Sequence, residues 1–205
     1  MPSVAIDPLN KMKGVTMSFP RNGEIYGEDE PAEYLYKIVS GAVRTYKIYG
    51  DGRRQIGAFY LSGDMFGLEM GEAHGFSAEA VTRTKVMFFK RSVVMVLAEH
   101  ENDVARRLWT LTARELLRVQ EHTLLLVQTA QERVVSFLLE MVARTPASNA
   151  VDLAMSRRDI ADYLGLTVET VSRTLTQLEN SAAIALPSAR RIVLRNRTAL
   201  RQLNS

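Results

Sequence analysis

The stretch SRRDIADYLGLTVETVSRTLTQLE, Ser156 to Glu179, reads as two short helices folded back on one another. Ser156 stands three residues before Asp159, a spacing that lets a hydroxyl cap the first free amides of a helix. Ile160, Ala161 and Leu164 give that helix an inner face. Gly165 admits the backbone of a sharp turn, and Thr167 can cap the helix that follows. In the second helix Val171, Leu175 and Leu178 lie on the side that packs back on the first. Glu169, Arg173 and Thr176 lie on the opposite side, with Thr170 and Ser172 flanking them. This is the plan of a helix-turn-helix. Its polar face carries groups that read base edges in the major groove: Arg for guanine, Glu for a cytosine amino group, Thr or Ser for a base or phosphate. Glu169 and Arg173 are also spaced i,i+4, so they can equally form an ion pair on a solvated helix.

The flanking sequence extends the plan on both sides. IALPSARRIVL, residues 184–194, gives two short strands around a turn of Pro187, Ser188, Arg190 and Arg191. A hairpin behind a recognition helix is a wing, and Arg190 and Arg191 at its tip can hold phosphates, as can Thr167. Upstream, TAQERVVSFLLEMVAR begins at Thr129, with Glu132 at capping-box spacing, and ends before Thr145-Pro146. From Glu99 to Gln128 there is neither Gly nor Pro, which predicts one helix of roughly 45 Å. Val104, Leu108, Leu111 and Leu125 form one apolar stripe along it, interrupted by Glu115, Arg118 and His122. Trp109, Leu116, Val119 and Leu126 form a second, and Leu117 and Leu124 a third. A helix apolar on several faces needs more than one partner. A strand domain can cover one face and the same helix of a second subunit another, so a homodimer is expected, with Val104, Leu108, Leu111 and Leu125 as its contacts.

Residues 21 to about 90 are strand-like, and SVVMVLAEH then begins helical territory. YLYKIVSG, AVRTYKIYGDG, RRQIGAFYLSG and KVMFFKR are short β-branched or aromatic runs cut by Gly-bearing turns, which predicts a sandwich or barrel. Residues 1–20 carry no clear period and read as a leader. The predicted organisation is therefore a leader (1–20), a strand domain (21–98), a dimerisation helix (99–128) and a winged helix-turn-helix domain (129–205), in the α+β class.

Composition narrows the chemistry. The 205 residues contain no cysteine, which excludes disulfides, zinc–thiolate sites and cysteine-held iron–sulfur clusters. No run of about 18 apolar residues is present, so no membrane partner is expected, and the N-terminus has no signal-peptide core; the expected location is cytoplasmic. The net charge of +3 resides entirely in residues 129–205, where every Lys-or-Arg position is Arg. Arg suits bidentate contacts to phosphate and guanine. No phosphate-binding loop, nucleophile elbow or HExxH pair occurs, so no enzyme activity, catalytic residue, metal or cofactor is expected.

Strand domain, long helix and winged helix-turn-helix together resemble the CRP/FNR superfamily of bacterial transcription regulators. SGAVRTYKIYGDGRRQIGAFYLSGDMFGLE is similar to the glycine-marked core of its jelly-roll sensor domain, and RRDIADYLGLTVETVSRTL to its FNR-type reading motif. The order Glu169-Thr170-Val171-Ser172-Arg173 resembles the FixK-type branch of rhizobia, in which the Glu, Ser and Arg face TTGA-like half-sites. The resemblance implies a homodimer that reads a palindromic operator in double-stranded DNA, recruits RNA polymerase, and activates microaerobic respiration and nitrogen-fixation genes. By analogy with the family's activating surfaces, the turn Tyr49–Arg54 and the loop Thr145–Ala150 are candidate polymerase contacts. Other readings are an effector-gated repressor, an architectural DNA-binding protein, or a module that binds acidic proteins.

The chain also departs from the family's pattern. The cyclic-nucleotide branch holds ribose and phosphate with a Gly-Glu pair and an Arg-Ser pair. Here the matching loops read MFGLEMG and GFSAEA: Glu69 is displaced by one position, and Phe76 precedes Ser77 where the phosphate-binding Arg would stand. Without that Arg a cyclic phosphodiester loses its charge-assisted partner. His74, the only histidine of the strand domain, is read as a solvated loop residue, its remaining role being a haem or metal ligand.

Overall fold

The computed structural model describes residues 14–69, 71–145 and 149–203. These form two compact units: the described residues of 14–48 and 57–119, and those of 49–56 and 120–203.

Among the described residues the first unit is built on eight strands: β1 (Val15–Phe19), β2 (Glu24–Tyr26), β3 (Tyr34–Ser40), β4 (Ala42–Ile48), β5 (Arg54–Leu61, which joins this unit from Gly57 on), β6 (Met65–Phe66), β7 (Ser77–Ala80) and β8 (Thr84–Lys90). They make two four-stranded antiparallel sheets, ordered β1-β8-β3-β6 and β2-β7-β4-β5. The strand runs suggested a sandwich or barrel; the fold is the jelly-roll sandwich that the family resemblance implied. Alternation along β3 and β8 feeds two cores. Tyr36, Ile38 and Val86 meet Val43, Phe66 and Tyr60 between the sheets. Leu35 and Phe89 point the other way, where they pack with Val94, Val104 and Leu111 of two helices, α1 (Arg91–His100) and α2 (Asn102–Leu125).

Three expectations change. The first twenty residues are not all leader: Val15–Phe19 pairs with β8 in register Val15↔Phe88 to Phe19↔Thr84. As an edge strand it is held mainly by backbone hydrogen bonds and leaves most side chains exposed, so hydropathy marks it weakly. The long helix is interrupted as well. Glu101 adopts an extended conformation between α1 and α2, and α2 ends at Leu125 rather than Gln128. Finally, the stripe assigned to the second subunit is used inside the chain. Val104 is 1% exposed and Leu111 9%, both in the core under β3 and β8, where Leu108 also packs. Leu125 is buried too. The outer face of the β1-β8-β3-β6 sheet needs an apolar cover, and the nearest helix in sequence supplies it. The apolar positions of α2 left open are the other two lines: Trp109, Leu116, Leu117, Val119 and Leu124.

The second unit contains α3 (Ala130–Ala143), β9 (Ala150–Asp152), α4 (Arg157–Leu164), α5 (Val168–Asn180), β10 (Ile184–Ala185), β11 (Arg191–Leu194) and α6 (Arg197–Gln202). The α3 capping box forms as its spacing predicts, Glu132 Oε2 accepting from the Thr129 amide at 2.7 Å. The wing has one strand more than expected. β10 and β11 pair at Ile184↔Leu194 and Ala185↔Val193, and β9 adds to the far side of β11 at Ile192↔Val151.

Candidate nucleic-acid interface

The recognition element is held at each of its termini. Ser156 Oγ accepts from the Asp159 amide at 3.1 Å, and Asp159 Oδ2 accepts from the Ser156 amide at 2.9 Å. Gly165 closes α4 in the left-handed region, φ +63°, which suits glycine and strains other residues. Thr167 Oγ1 then accepts from the Thr170 amide at 3.1 Å and starts α5. Val171, Leu175 and Leu178 are buried, as are Ile160, Ala161 and Leu164 of α4. Burial of these faces turns the other side of α5 outward.

On that side Glu169, Ser172, Arg173 and Thr176 are exposed, and Thr170 is half-buried, its hydroxyl 3.0 Å from that of Thr167. Glu169 and Arg173 do not pair with each other or with any other charged group among the described residues. Their hydrogen-bonding capacity therefore faces solvent, as base reading requires. The i,i+4 ion pair that the spacing allowed is not formed.

Arg190 and Arg191 are exposed at the wing. Arg190 donates to the Ala154 carbonyl at 3.3 Å, and Arg191 pairs with Asp152 at 3.2 Å in an exposed bridge. Exposed pairs of this kind contribute at most about 1 kcal/mol, so a phosphate can replace Asp152 at small cost. The two candidate polymerase surfaces fare differently. In the turn, Tyr49 to Arg53 are exposed but Arg54 is half-buried and ion-paired. Residues 146–148 of the loop Thr145–Ala150 lie outside the described residues, and Ala150 begins β9.

Several side chains that no sequence spacing marked hold α4. Arg54 Nη2 donates to Asp159 Oδ1 at 2.7 Å, and Arg54 Nε to Asp162 Oδ2 at 2.8 Å. Burial works against the guanidinium charge, but its hydrogen bonds to Asp162 and Asp159 and their charges outweigh this and raise its pKa. At the other end of α4, the Tyr163 carbonyl accepts from Gln55 Nε2 at 3.3 Å, and His122 Nε2 lies 2.9 Å from it. The His122 ring stacks on that of Tyr163 at 4.2 Å, and Arg133 Nη1 donates to the Leu164 carbonyl at 3.0 Å. These donors satisfy carbonyls that a helix end leaves open. The partners lie up to 108 residues apart, so only the folded chain reveals them.

Within the first unit lies a cavity of about 470 Å³. Tyr26, Tyr60, Phe66, Leu68, Phe76 and Leu116 give it an apolar lining, and its charged groups are Glu69 and Glu115. No basic side chain is among its described lining residues. Phe76 stands beside Gly57, where a further side chain would press on its ring. Two carboxylates and an aromatic ring do not fit a cyclic phosphate anion. Glu115 is itself engaged: it accepts from Tyr60 Oη at 2.8 Å and pairs with Arg118, whose guanidinium lies 4.6 Å from the centre of the Tyr60 ring. Burial first, and then the charge of Glu115, pushes the Tyr60 phenol well above its ordinary pKa.

His74 is not the solvated loop residue that the sequence suggested. It is 1% exposed and stacks on Tyr26 at 3.5 Å. Its Nδ1 meets Glu69, and its Nε2 lies 3.4 Å from Tyr36 Oη. Both ring nitrogens are thus occupied within the fold, which leaves neither open to a haem or metal. The β-bridge Pro31↔Ala73 and the His74 amide's bond to the Glu30 carbonyl hold this loop against the segment between β2 and β3.

Comparison with known proteins agrees with this geometry. Residues 16–101 match the model of the cyclic nucleotide-binding domain, and residues 132–203 that of the Crp-like helix-turn-helix domain. The nitrogen fixation regulation protein FixK of Azorhizobium caulinodans is 55% identical over 198 residues, 94% of this chain and 80% of that one. FixK of Rhizobium meliloti is 41% identical over 88% of this chain and 82% of its own length. The solved structure of FixK2 from Bradyrhizobium japonicum superposes with a TM-score of 0.91 at 52% identity, covering 95% of this chain and 98% of that one. A free polar face on α5 and these similarities converge: the chain is a non-enzymatic, helix-turn-helix DNA-binding transcription regulator of the CRP/FNR family, in its FixK-like branch.

Proposed function

We propose that this regulator, as a homodimer in the cytoplasm, activates genes of microaerobic respiration and nitrogen fixation by reading a palindrome of TTGA-like half-sites. The observation that carries the reading is the outward face of α5, where Glu169 and Arg173 have no charged partner among the described residues. Arg173 donates to the guanine of each half-site, Glu169 accepts from a cytosine amino group, and Thr170 and Ser172 contact a neighbouring base or phosphate. Thr167, Arg190 and Arg191 hold phosphates and carry no sequence information. Two-fold symmetry places two such helices about 34 Å apart, in successive major grooves. The names of the FixK relatives, nitrogen fixation regulation proteins, support the nitrogen-fixation part of this gene class. RNA polymerase is the second partner, with the exposed turn residues Tyr49–Arg53 as a candidate contact.

Activity requires neither a cyclic nucleotide nor an iron–sulfur cluster. The chain has no cysteine to hold a cluster, and the cavity offers carboxylates where a phosphate needs a cation. The DNA-competent arrangement is therefore well populated without an added effector. Fluorescence anisotropy on a duplex with two inverted TTGA half-sites, against a scrambled duplex of equal length, tests the first part. Transcription from that operator with purified polymerase and no additive tests the second. Equal affinity for both duplexes, or transcription that demands an effector, would refute the corresponding part.

A further inference from the structure

The turn Tyr49–Ile56 groups with the C-terminal unit, although the chain on either side of it, β4 and the rest of β5, belongs to the jelly-roll. We propose that Arg54, assisted by Gln55, is a positioning residue for DNA recognition: it fixes α4, and through α4 the reading helix α5.

The argument starts from Asp159. Its side chain is only 6% exposed, and its two oxygens have separate duties. Oδ2 closes the α4 capping box through the Ser156 amide and hydroxyl, and Oδ1 receives Arg54. A buried carboxylate of this kind is stable only with both its hydrogen bonds and its counter-charge. The same guanidinium spans one turn of α4 to Asp162, so it grips the helix at two points on one face. Two fixed contacts define a direction, which one contact cannot. Gln55, the next residue, holds the C-terminal end of the same helix through the Tyr163 carbonyl.

What α4 does next gives the clamp its consequence. Ile160, Ala161 and Leu164 are buried, and α5 packs on this helix through Val171, Leu175 and Leu178. A rotation of α4 therefore displaces Glu169 and Arg173. Base reading tolerates displacements well below the length of a hydrogen bond, so a loosened α4 must be reordered on the operator, and that ordering subtracts from affinity. Arg54 also neutralises Asp162, which borders the cleft that Thr167 and Thr170 line at the start of α5. Left uncovered, that charge would repel the approaching phosphate backbone. Arg54 touches no DNA in this account, and that separates it from Arg190 and Arg191.

This inference rests on the operator reading above, and the experiment keeps the two apart. Arg54→Met and Arg54→Lys are made in the full-length protein and compared with the parent on the TTGA palindrome and on the scrambled duplex. Hydrogen exchange of the α4 amides is followed in the absence of DNA. For Arg54→Met the expected result is an operator affinity about tenfold weaker, a smaller loss on scrambled DNA, an unchanged salt slope and faster exchange across α4. Arg54→Lys, which reaches one carboxylate but not both, recovers part of the loss. Unchanged affinity and exchange would overturn the proposal. So would a salt slope reduced by about one unit per half-site, which would make Arg54 a phosphate contact. Faster exchange with unchanged operator affinity would also overturn it, reducing the clamp to a stabilising contact. If Arg54→Met does not fold, Gln55→Ala decides: a loss of about threefold on the operator supports the proposal, and no loss overturns it. If the parent itself fails to prefer the palindrome, the operator reading falls. The loss on scrambled DNA and the exchange across α4 then still judge the clamp.

Discussion

Leu124→Asp is the substitution that most directly tests how two copies associate. Leu117 and Leu124 stand seven residues apart on α2 and are 53% and 66% exposed in the single chain. Full burial of a leucine side chain contributes about 1.5–3 kcal/mol. A second copy that covers the open part of Leu124 therefore contributes about 1–2 kcal/mol at each of two symmetric positions. Replacement by Asp removes both contributions and sets two carboxylates facing each other in an apolar seam, a further cost of several kcal/mol. A total on the order of 5 kcal/mol raises the dimer dissociation constant by three to four powers of ten. Sedimentation equilibrium at micromolar concentration should show a folded monomer, and operator binding should be lost. Leu111→Ala is the counterpart. Leu111 is 9% exposed under the β1-β8-β3-β6 sheet, so its truncation costs about 2–5 kcal/mol of unfolding free energy and leaves the dimer intact. A dimer that survives Leu124→Asp but dissociates on Leu111→Ala would refute the assignment of the two faces.

Four further outcomes are expected. Arg173→Ala should cost about 1–3 kcal/mol per half-site and flatten the preference at one base pair in a base-substitution series, whereas Arg190→Ala should weaken all duplexes alike and lower the salt slope by about one per half-site. Cyclic AMP should leave operator affinity unchanged; a tightening of about tenfold, a coupling near 1.4 kcal/mol, would contradict the reading of Phe76 and the acidic cavity. Gly165→Ala should lower stability by about 1–2 kcal/mol in thermal unfolding, through backbone strain alone, since no atom lies closer than 3.5 Å to the added carbon. Hydrogen bonds from the Thr129 backbone and side chain lower the pKa of Glu132. Its contribution is thus present above the carboxylate's unfolded value and is lost as pH falls through the folded one, and Glu132→Gln should remove that part of the acid dependence in pH-resolved denaturation.

Local chemistry made part of this molecule legible before it folded. Ser156-Asp159, Gly165 and Thr167 lie within a dozen residues of one another, and each acts on backbone groups of its own or the next turn. Capping, the left-handed turn and the buried face of α5 therefore follow from spacing alone, and with them the outward set Glu169, Ser172 and Arg173. The absence of cysteine and the Phe at position 76 were equally plain, because composition and residue identity need no coordinates. Tertiary structure alone decided which partner each apolar or polar face obtains. The periodicity of α2 marks Val104, Leu108 and Leu111 as buried but cannot say by what; the sheet built from β3 and β8 claimed them and left Leu117 and Leu124 open. His74 looked like a loop histidine until pairing of distant strands enclosed it between Tyr26 and Glu69. Arg54 stood in the sequence only as the end of a candidate polymerase-contact turn, and its partners stand 105 and 108 residues further on. The physical reason is one of range. Caps and turns act over a few bonds of the same chain, whereas burial and charge pairing are settled by whichever surface the completed fold brings near.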